Sequence, residues 1–303
     1  MDSRYLKYFV AVAEDLNFTK AAERLHTVQP SLSQQIKRLE EMVGVPLFHR
    51  MKHRVSLTEA GRVFLEDANR ILRDVEKAFS RARQAAKAES GQMAIGFIPG
   101  TEMKVFPQIL PLLSAAIPDL DLSLRSLTSP QQLVALINHE INLGFLRGPI
   151  PFPEIATTVV FREEIVVAMP ARHELARLRK IPLERLAKCR FLRVSHDVAP
   201  TFHDLTMAIL EQAGVHSSYM LDSENALTSI SGVASGMGLA LLPSFVERIV
   251  PPDVVIRRLD LPQPPTIELL AAYRKDDALP ALACLLELLQ NHSFEDAPAR
   301  KRP

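Results

Sequence analysis

Apolar residues recur at helical spacing from the start of the chain. Leu6, Phe9, Val10, Ala13 and Leu16 form one stripe across Ser3 to Leu16, with Lys7 and Glu14 outside it, which predicts a helix. "NFT" interrupts the pattern. Thr19 is placed to cap a second helix, "KAAERL", in which Ala21 and Ala22 would let another helix approach closely. A third helix follows in "TVQPSLSQQIKRLE". There Leu32, Ile36 and Leu39 lie on one side and Gln29, Ser33, Gln34 and Lys37 on the other, and Gly44 suits a left-handed end. Pro30 fits the first turn of such a helix, where the amide it lacks would have no partner. Next, "PLFHRMKHRVSLT" alternates short apolar pairs with Arg50, Lys52, His53 and Arg54, as a small two-stranded wing would.

Thr58 then caps a long proline-free helix, "EAGRVFLEDANRILRDVEKAFSRARQAAKAE". Phe64, Ala68, Ile71, Val75, Ala78, Ala82 and Ala85 follow each other in steps of four and three. A narrow seam flanked by charges reads as a coiled-coil dimer contact; the other reading is a helix packed on its own domain. Beyond Ser90-Gly91 the texture changes. "QMAIGFIPG", "LDLSLRSL", "INLGFLRGP" and "EEIVVAMP" are short apolar runs separated by helical stretches, and "RFLRVS", "SSYMLDS", "GMGLALLP" and "TIELLAAYR" form a second set. Strands alternating with helices predict parallel sheets with crossover helices, here two α/β subdomains.

Composition changes this picture little. The chain has 303 residues, 47% of them hydrophobic, enough for two or three cored units. The charge is more telling. Residues 1–90 hold 16 Lys/Arg against 12 Asp/Glu, and residues 91–303 hold 20 against 23, so the positive end is N-terminal, where nucleic acid could bind. Cys189 and Cys284 lie far apart without a CxxC, and are expected to be reduced core thiols. The charged N-terminus has no signal-length apolar core, and no apolar run nears the ~20 residues of a membrane helix. A cytoplasmic protein is expected.

Two short helices, a turn, a third helix and a basic wing make a winged helix-turn-helix, whose second motif helix enters the major groove by its N-terminal end. Glutamine and serine there can bond base edges, while Lys37, Arg50, Lys52 and Arg54 would contact phosphates. Thr19, Pro30, Ser31 and His53 complete the candidate DNA surface.

In this order the segment "YFVAVAEDLNFTKAAERLHTVQPSLSQQIKRLEEMVGVPLFHR", followed by "VSLTEAG", resembles the LysR-type transcriptional regulators, with a weaker likeness to those governing aromatic-acid breakdown. One position departs: many relatives have serine or threonine before the Gln-Pro pair, and this chain has Val28, so either Thr27 caps the helix one residue early or the cap is weaker. The resemblance implies an α/β protein. It would comprise a winged helix-turn-helix over 1–58, a linker and dimerisation helix over 59–90, and two Rossmann-like subdomains of the periplasmic-binding-protein type. These would cover 91–163 with 266–293, and 164–265, leaving a disordered tail over 294–303. The implied partners are double-stranded DNA, a second copy in a dimer or tetramer, RNA polymerase, and a small organic (aromatic) acid held between the lobes.

By the family's position, the loops for that acid carry Pro99, Gly100, Thr101, Thr128, Ser129, Phe145, Arg147, Ser195, Thr201 and Phe202. Thr101 and Ser129 precede helical runs and would offer hydroxyls and free amides, and Arg147 a planar cationic fork. Simple capping for the first two, and a salt bridge for Arg147, are the alternatives. An enzyme built on the α/β lobes is the competing function. GxSxG, Walker A and HExxH are all missing, and the nine histidines form no metal-ligand spacing, so no cofactor or metal is expected. A plain solute carrier would not need the extra N-terminal domain.

Overall fold

The computed structural model describes residues 3–51, 54–89, 91–215 and 220–294, with the side chains of 50, 51, 54, 76, 77, 80–89 and 220 outside that description. The chain divides into two compact units, Met1–Arg83 and Gln84–Pro303.

In the first unit, α1 (Ser3–Asp15), α2 (Phe18–Arg24) and α3 (Gln29–Val43) precede a hairpin of β1 (Phe48–Met51) and β2 (Arg54–Leu57), and α4 (Glu59–Glu89) follows. The apolar stripes meet as their spacing requires. Leu6, Phe9, Val12, Ala21, Ala22, Leu32, Ile36 and Leu39 are all buried, and Phe9 packs its ring 5.2 Å from Phe48 and 5.0 Å from Phe64. Leu16 leaves the stripe: it follows the helix at φ 45° and is exposed. Asn17, not Thr19, caps α2, its Oδ1 accepting from the amides of Thr19 and Lys20. Asn17 stands one residue ahead of the helix, where a cap must lie, whereas Thr19 is already its second residue. Gly44 ends α3 at φ 82°, and Thr58 opens α4 by accepting from the Gly61 amide at 2.9 Å. A Cβ on Gly61 would sit 2.1 Å from the Leu47 carbonyl oxygen, so only glycine lets α4 come this close to the wing.

The second unit contains two lobes. In one, β3 (Gln92–Phe97), α5 (Glu102–Ala116), β4 (Asp121–Ser126), α6 (Ser129–Ile137) and β5 (Leu143–Leu146) come first, with β12 (Thr266–Arg274) and α9 (Pro280–Asn291) returning at the end. The other is built from β7 (Lys180–Ile181), β8 (Phe191–Val194), α7 (Pro200–Gln212), β9 (Met220–Ser223), α8 (Ala226–Ala234), β10 (Leu239–Pro243) and β11 (Val254–Leu259). A long strand, β6 (Ile155–Pro170), belongs to both. The strand order is β4-β3-β5-β12-β6-β10-β8-β9, with β11 beside β6 and β7. Ile155–Glu164 pairs with β12, and the rest of β6 pairs with β10 and β11.

The sheets are mixed rather than wholly parallel. β3 runs parallel to β4 and β5, and β8 to β9 and β10, but β10, β11 and β12 are antiparallel to β6. Only the βαβ segments carry the crossover helix that parallel pairing needs; β6 and β12 enter through loops. Each lobe has its own core, around Val105, Ile109, Leu143 and Leu269 in one and Val167, Phe191, Leu210 and Leu242 in the other. Phe294 packs 5.7 Å from Phe161 rather than beginning a loose tail, and residues 295–303 lie outside the described residues. Cys189 and Cys284 are free and partly buried. Among the described residues, no helix is long and apolar enough to cross a membrane.

Candidate functional site

Helix α3 turns its apolar residues inward and leaves Gln29, Pro30, Gln34, Lys37 and Arg38 exposed, with Ser31 and Ser33 half-buried. Its N-terminus carries no side-chain cap: Val28 occupies that position in extended conformation, 66% exposed, and Thr27 does not replace it. The first-turn amides are therefore left for an outside acceptor, and such a helix start favours an anion such as phosphate. Lys37 makes a long 4.0 Å pair with Glu41, both in water, which constrains it little. Glu40 is more constraining, accepting from the amides of Leu47 and Phe48 at 2.9 and 3.1 Å and so tying the wing to α3. In the wing, Arg50 faces Val55 and Met51 faces Arg54 across the ladder; Lys52 and His53, at its tip, lie outside the described residues. Thr19 is exposed on α2.

The proposed seam of α4 is not uniform. Ala68 is fully buried and Phe64 packs on Phe9 within the first unit. Further along, Val75 is half-buried and Ile71 and Ala78 are exposed, as is Phe79 at 58%; Ala82 lies outside the described side chains. The helix thus spends one end of the stripe on its own domain. Packing on its own domain accounts for Phe64 and Ala68 and leaves the stretch from Ile71 to Phe79 mostly uncovered.

Between the lobes of the second unit lies a cavity of about 300 Å³. One lobe lines it with Pro99, Thr128, Ser129 and Arg147, the other with residues 198–202 and 224–226, and Val194, Phe202 and Phe245 give apolar wall. Three helices begin there, α6, α7 and α8, the last capped by Asn225. Thr128 closes a capping box on α6, its hydroxyl oxygen accepting from the Gln131 amide while Gln131 accepts from the Thr128 amide. Ala199 opens α7 without any side-chain cap, and Pro200 occupies its first turn. All three helix starts bring positive potential to the cavity.

The hydroxyls divide by what they have already spent. Thr101 donates to the Ile98 carbonyl at 2.7 Å and is buried, and Thr201 donates across the lobes to the Gly148 carbonyl. Ser129 and Thr128 instead accept from backbone amides, Ser129 from Arg147 at 3.2 Å, so their own hydrogens can still be given to an acceptor. Arg147 is 7% exposed; its Nη2 meets Glu163 at 3.2 Å, and its Nη1 has no partner among the described residues. The guanidinium lies 5.8 Å from the Phe202 ring. Glu163, on β6 where the lobes join, also pairs with Lys104 at 3.9 Å and accepts from the Phe245 amide at 3.2 Å. Burial pushes its carboxyl above the usual range, against the pull of Arg147, Lys104 and that amide. Burial likewise lowers Arg147, opposed by Glu163, but a guanidinium stays charged.

Known proteins are similar to this chain in sequence and in fold. The family described as LysR substrate binding domain matches residues 86–293, and the one described as bacterial regulatory helix-turn-helix protein, lysR family, matches residues 3–62. The chain belongs to the LysR family of transcriptional regulators. It is 37% identical over 290 residues to the Hca operon transcriptional activator HcaR of Escherichia coli K12, covering 96% of this chain and 97% of that protein. It is 32% identical over 300 residues to a probable cat1 operon transcriptional activator of Acinetobacter lwoffii, covering 99% and 98%. Full-length CbnR bound to its target DNA is similar in structure, with TM-score 0.56, 28% identity and coverage of 96% and 99%. The LysR-type chain is thus a DNA-binding regulator with an effector-binding domain, and the enzyme alternative falls.

Not every expected effector residue of this LysR-type regulator reaches the cavity. Pro99, Thr128, Ser129, Arg147, Thr201 and Phe202 line it. Phe145 does not: it is buried in the core of its lobe, because β5 is covered on both faces. Gly100 stands beside the Phe245 ring, where a Cβ would come within 2.6 Å, and Thr101 is turned into its own loop. Ser195 supplies its carbonyl to the amides of Val198 and Ala199 rather than lining the cavity. Glu163, Phe245 and Glu224 were not anticipated. Glu163 left one signal, a charge at the head of the apolar run "EEIVVAMP".

Proposed function

We propose that this LysR-type regulator responds to a small carboxylate, aromatic in its simplest form, bound between the two lobes. The observation that carries this is Arg147: a buried cation on an apolar-walled cavity, with one guanidinium nitrogen unpartnered. Buried donors are almost always satisfied, so an empty one at a cavity favours an acceptor from outside. The hydroxyl hydrogens of Thr128 and Ser129 and the starts of α6 and α7 add donors and positive potential, while Phe202 and Phe245 suit a ring.

Residues 1–58 bind double-stranded DNA through Gln29, Ser31, Ser33, Gln34 and Lys37, with Arg50, Lys52, His53 and Arg54 on the wing. Residues 59–90 join two copies through Ile71, Val75, Ala78 and Ala82. The lobes over 91–163 with 266–293, and over 164–265, hold the effector. An acid that binds one lobe arrangement more tightly shifts the population towards it and so alters how paired winged helices meet DNA and RNA polymerase. We place the protein in the cytoplasm on its DNA-binding role.

Calorimetry against a panel of aromatic and aliphatic acids tests the effector. Wild type is compared with Ser129→Ala and with the pair Arg147→Gln and Glu163→Gln, which leaves no buried carboxylate orphaned. Affinity is expected to fall at least tenfold in the pair. A ligand whose affinity ignores both variants would overturn the assignment.

A further inference from the structure

One charge on the second lobe's side of the cavity is left without a hydrogen-bond or ion-pair partner among the described residues. Glu224, between β9 and α8, lines the cavity and is exposed, and among the described residues it makes no hydrogen bond or ion pair. Its neighbours are accounted for. Asp222 pairs with Arg193 at 2.7 Å, and Asn225 caps α8 by accepting from the Thr228 amide at 3.0 Å. Capping therefore does not require Glu224. Arg147 comes from the opposite lobe, so the cavity carries a cation on one wall and a carboxylate on the other, with apolar side chains including Val194 and Phe202 also lining it.

From this placement we infer that Glu224 sets the effector's charge class, admitting acids with one carboxylate and a neutral far end and excluding dicarboxylates. The inference rests on the carboxylate reading of the cavity. A single carboxylate satisfies Arg147 and leaves the apolar body against the walls. A second carboxylate would be carried towards Glu224 at the rim, where water screens the two like charges only in part because the cavity walls around them are apolar. Specificity of this kind comes from a repulsive element set against the wrong ligand as much as from contacts with the right one. Glu224 is exposed at the rim and makes no hydrogen bond or ion pair among the described residues, so its replacement is expected to leave folding intact.

The test uses matched probes on the full chain: benzoate against terephthalate, and hexanoate against adipate, titrated calorimetrically into wild type, Glu224→Gln and Glu224→Lys. In wild type the monocarboxylate of the pair that binds should be at least tenfold tighter than its dicarboxylate. Glu224→Gln should bring the two within about threefold by raising dicarboxylate affinity, with the monocarboxylate changed less than twofold, and Glu224→Lys should favour the dicarboxylate. Equal affinities in wild type, or full discrimination retained in Glu224→Gln, would overturn the inference while leaving the carboxylate site standing. Binding of neither class to wild type or to either variant would remove that site, and the inference with it.

Discussion

On α3, Gln29, Gln34 and Lys37 stand in water, whereas at the lobe junction Glu163 is buried and paired with both Arg147 and Lys104. The contrast follows from what each surface meets. A DNA-facing helix keeps its donors hydrated until a phosphate or base edge replaces the water, so folding imposes no pairing on Gln29 or Gln34. In the cleft, burial comes first, and each charge must find a partner within the protein. An exposed group without a partner is therefore ordinary, while Arg147 Nη1 without one is informative.

The sharpest way to break this comparison is to unbalance the buried set. Arg147→Ala leaves Glu163 with weaker compensation and is expected to cost about 3–5 kcal/mol of stability, by chemical denaturation. Adding Glu163→Gln should restore part of it. A loss below 1 kcal/mol in the single variant would mean the junction is wetter than its burial implies.

Next in size is the exposed stretch of α4. Ile71→Glu with Val75→Glu places like charges across the proposed seam. Sedimentation should show smaller species, and affinity for a two-half-site operator should fall on the order of 100-fold as the bivalent gain is lost. Unchanged mass would show that this stretch is not a subunit contact.

On α3 the expected effects are smaller and differ in kind. Gln29→Ala or Gln34→Ala should reduce discrimination between target and random DNA by about 1–3 kcal/mol in competition binding. Lys37→Ala should weaken both DNAs alike and lower the salt slope by about 1. Glutamine variants that keep full discrimination would put sequence reading elsewhere.

The N-terminal unit was legible because its signals are local. Leu32, Ile36 and Leu39 lie within two turns, Gly44 marks an end, and Pro30 marks a start. Two local details differ: Leu16 lies past the end of α1 and is exposed, and α2 starts one residue before Thr19, so Asn17 caps it. The cleft depends on partners far apart in sequence. Glu163 meets Arg147, 16 positions away, and the Phe245 amide, 82 away, and no periodicity encodes that. Phe145 misled for the same reason: its loop position suggested a cavity wall, but β5 is an inner strand and buries it. For α4, the heptad steps were readable, but not that Ala68 would be taken up by the chain's own helices.

The most direct measurement joins the two regions. Fluorescence anisotropy on the DNA just upstream of the gene, with and without a binding acid, is run on wild type and on the Arg147→Gln and Glu163→Gln pair. Specific DNA binding is expected in both proteins, since α3 is untouched, with the acid shifting the binding curve of wild type alone. An acid that shifts both curves equally, or none that shifts wild type, would contradict the division between a hydrated helix that reads DNA and a buried cation that senses an acid.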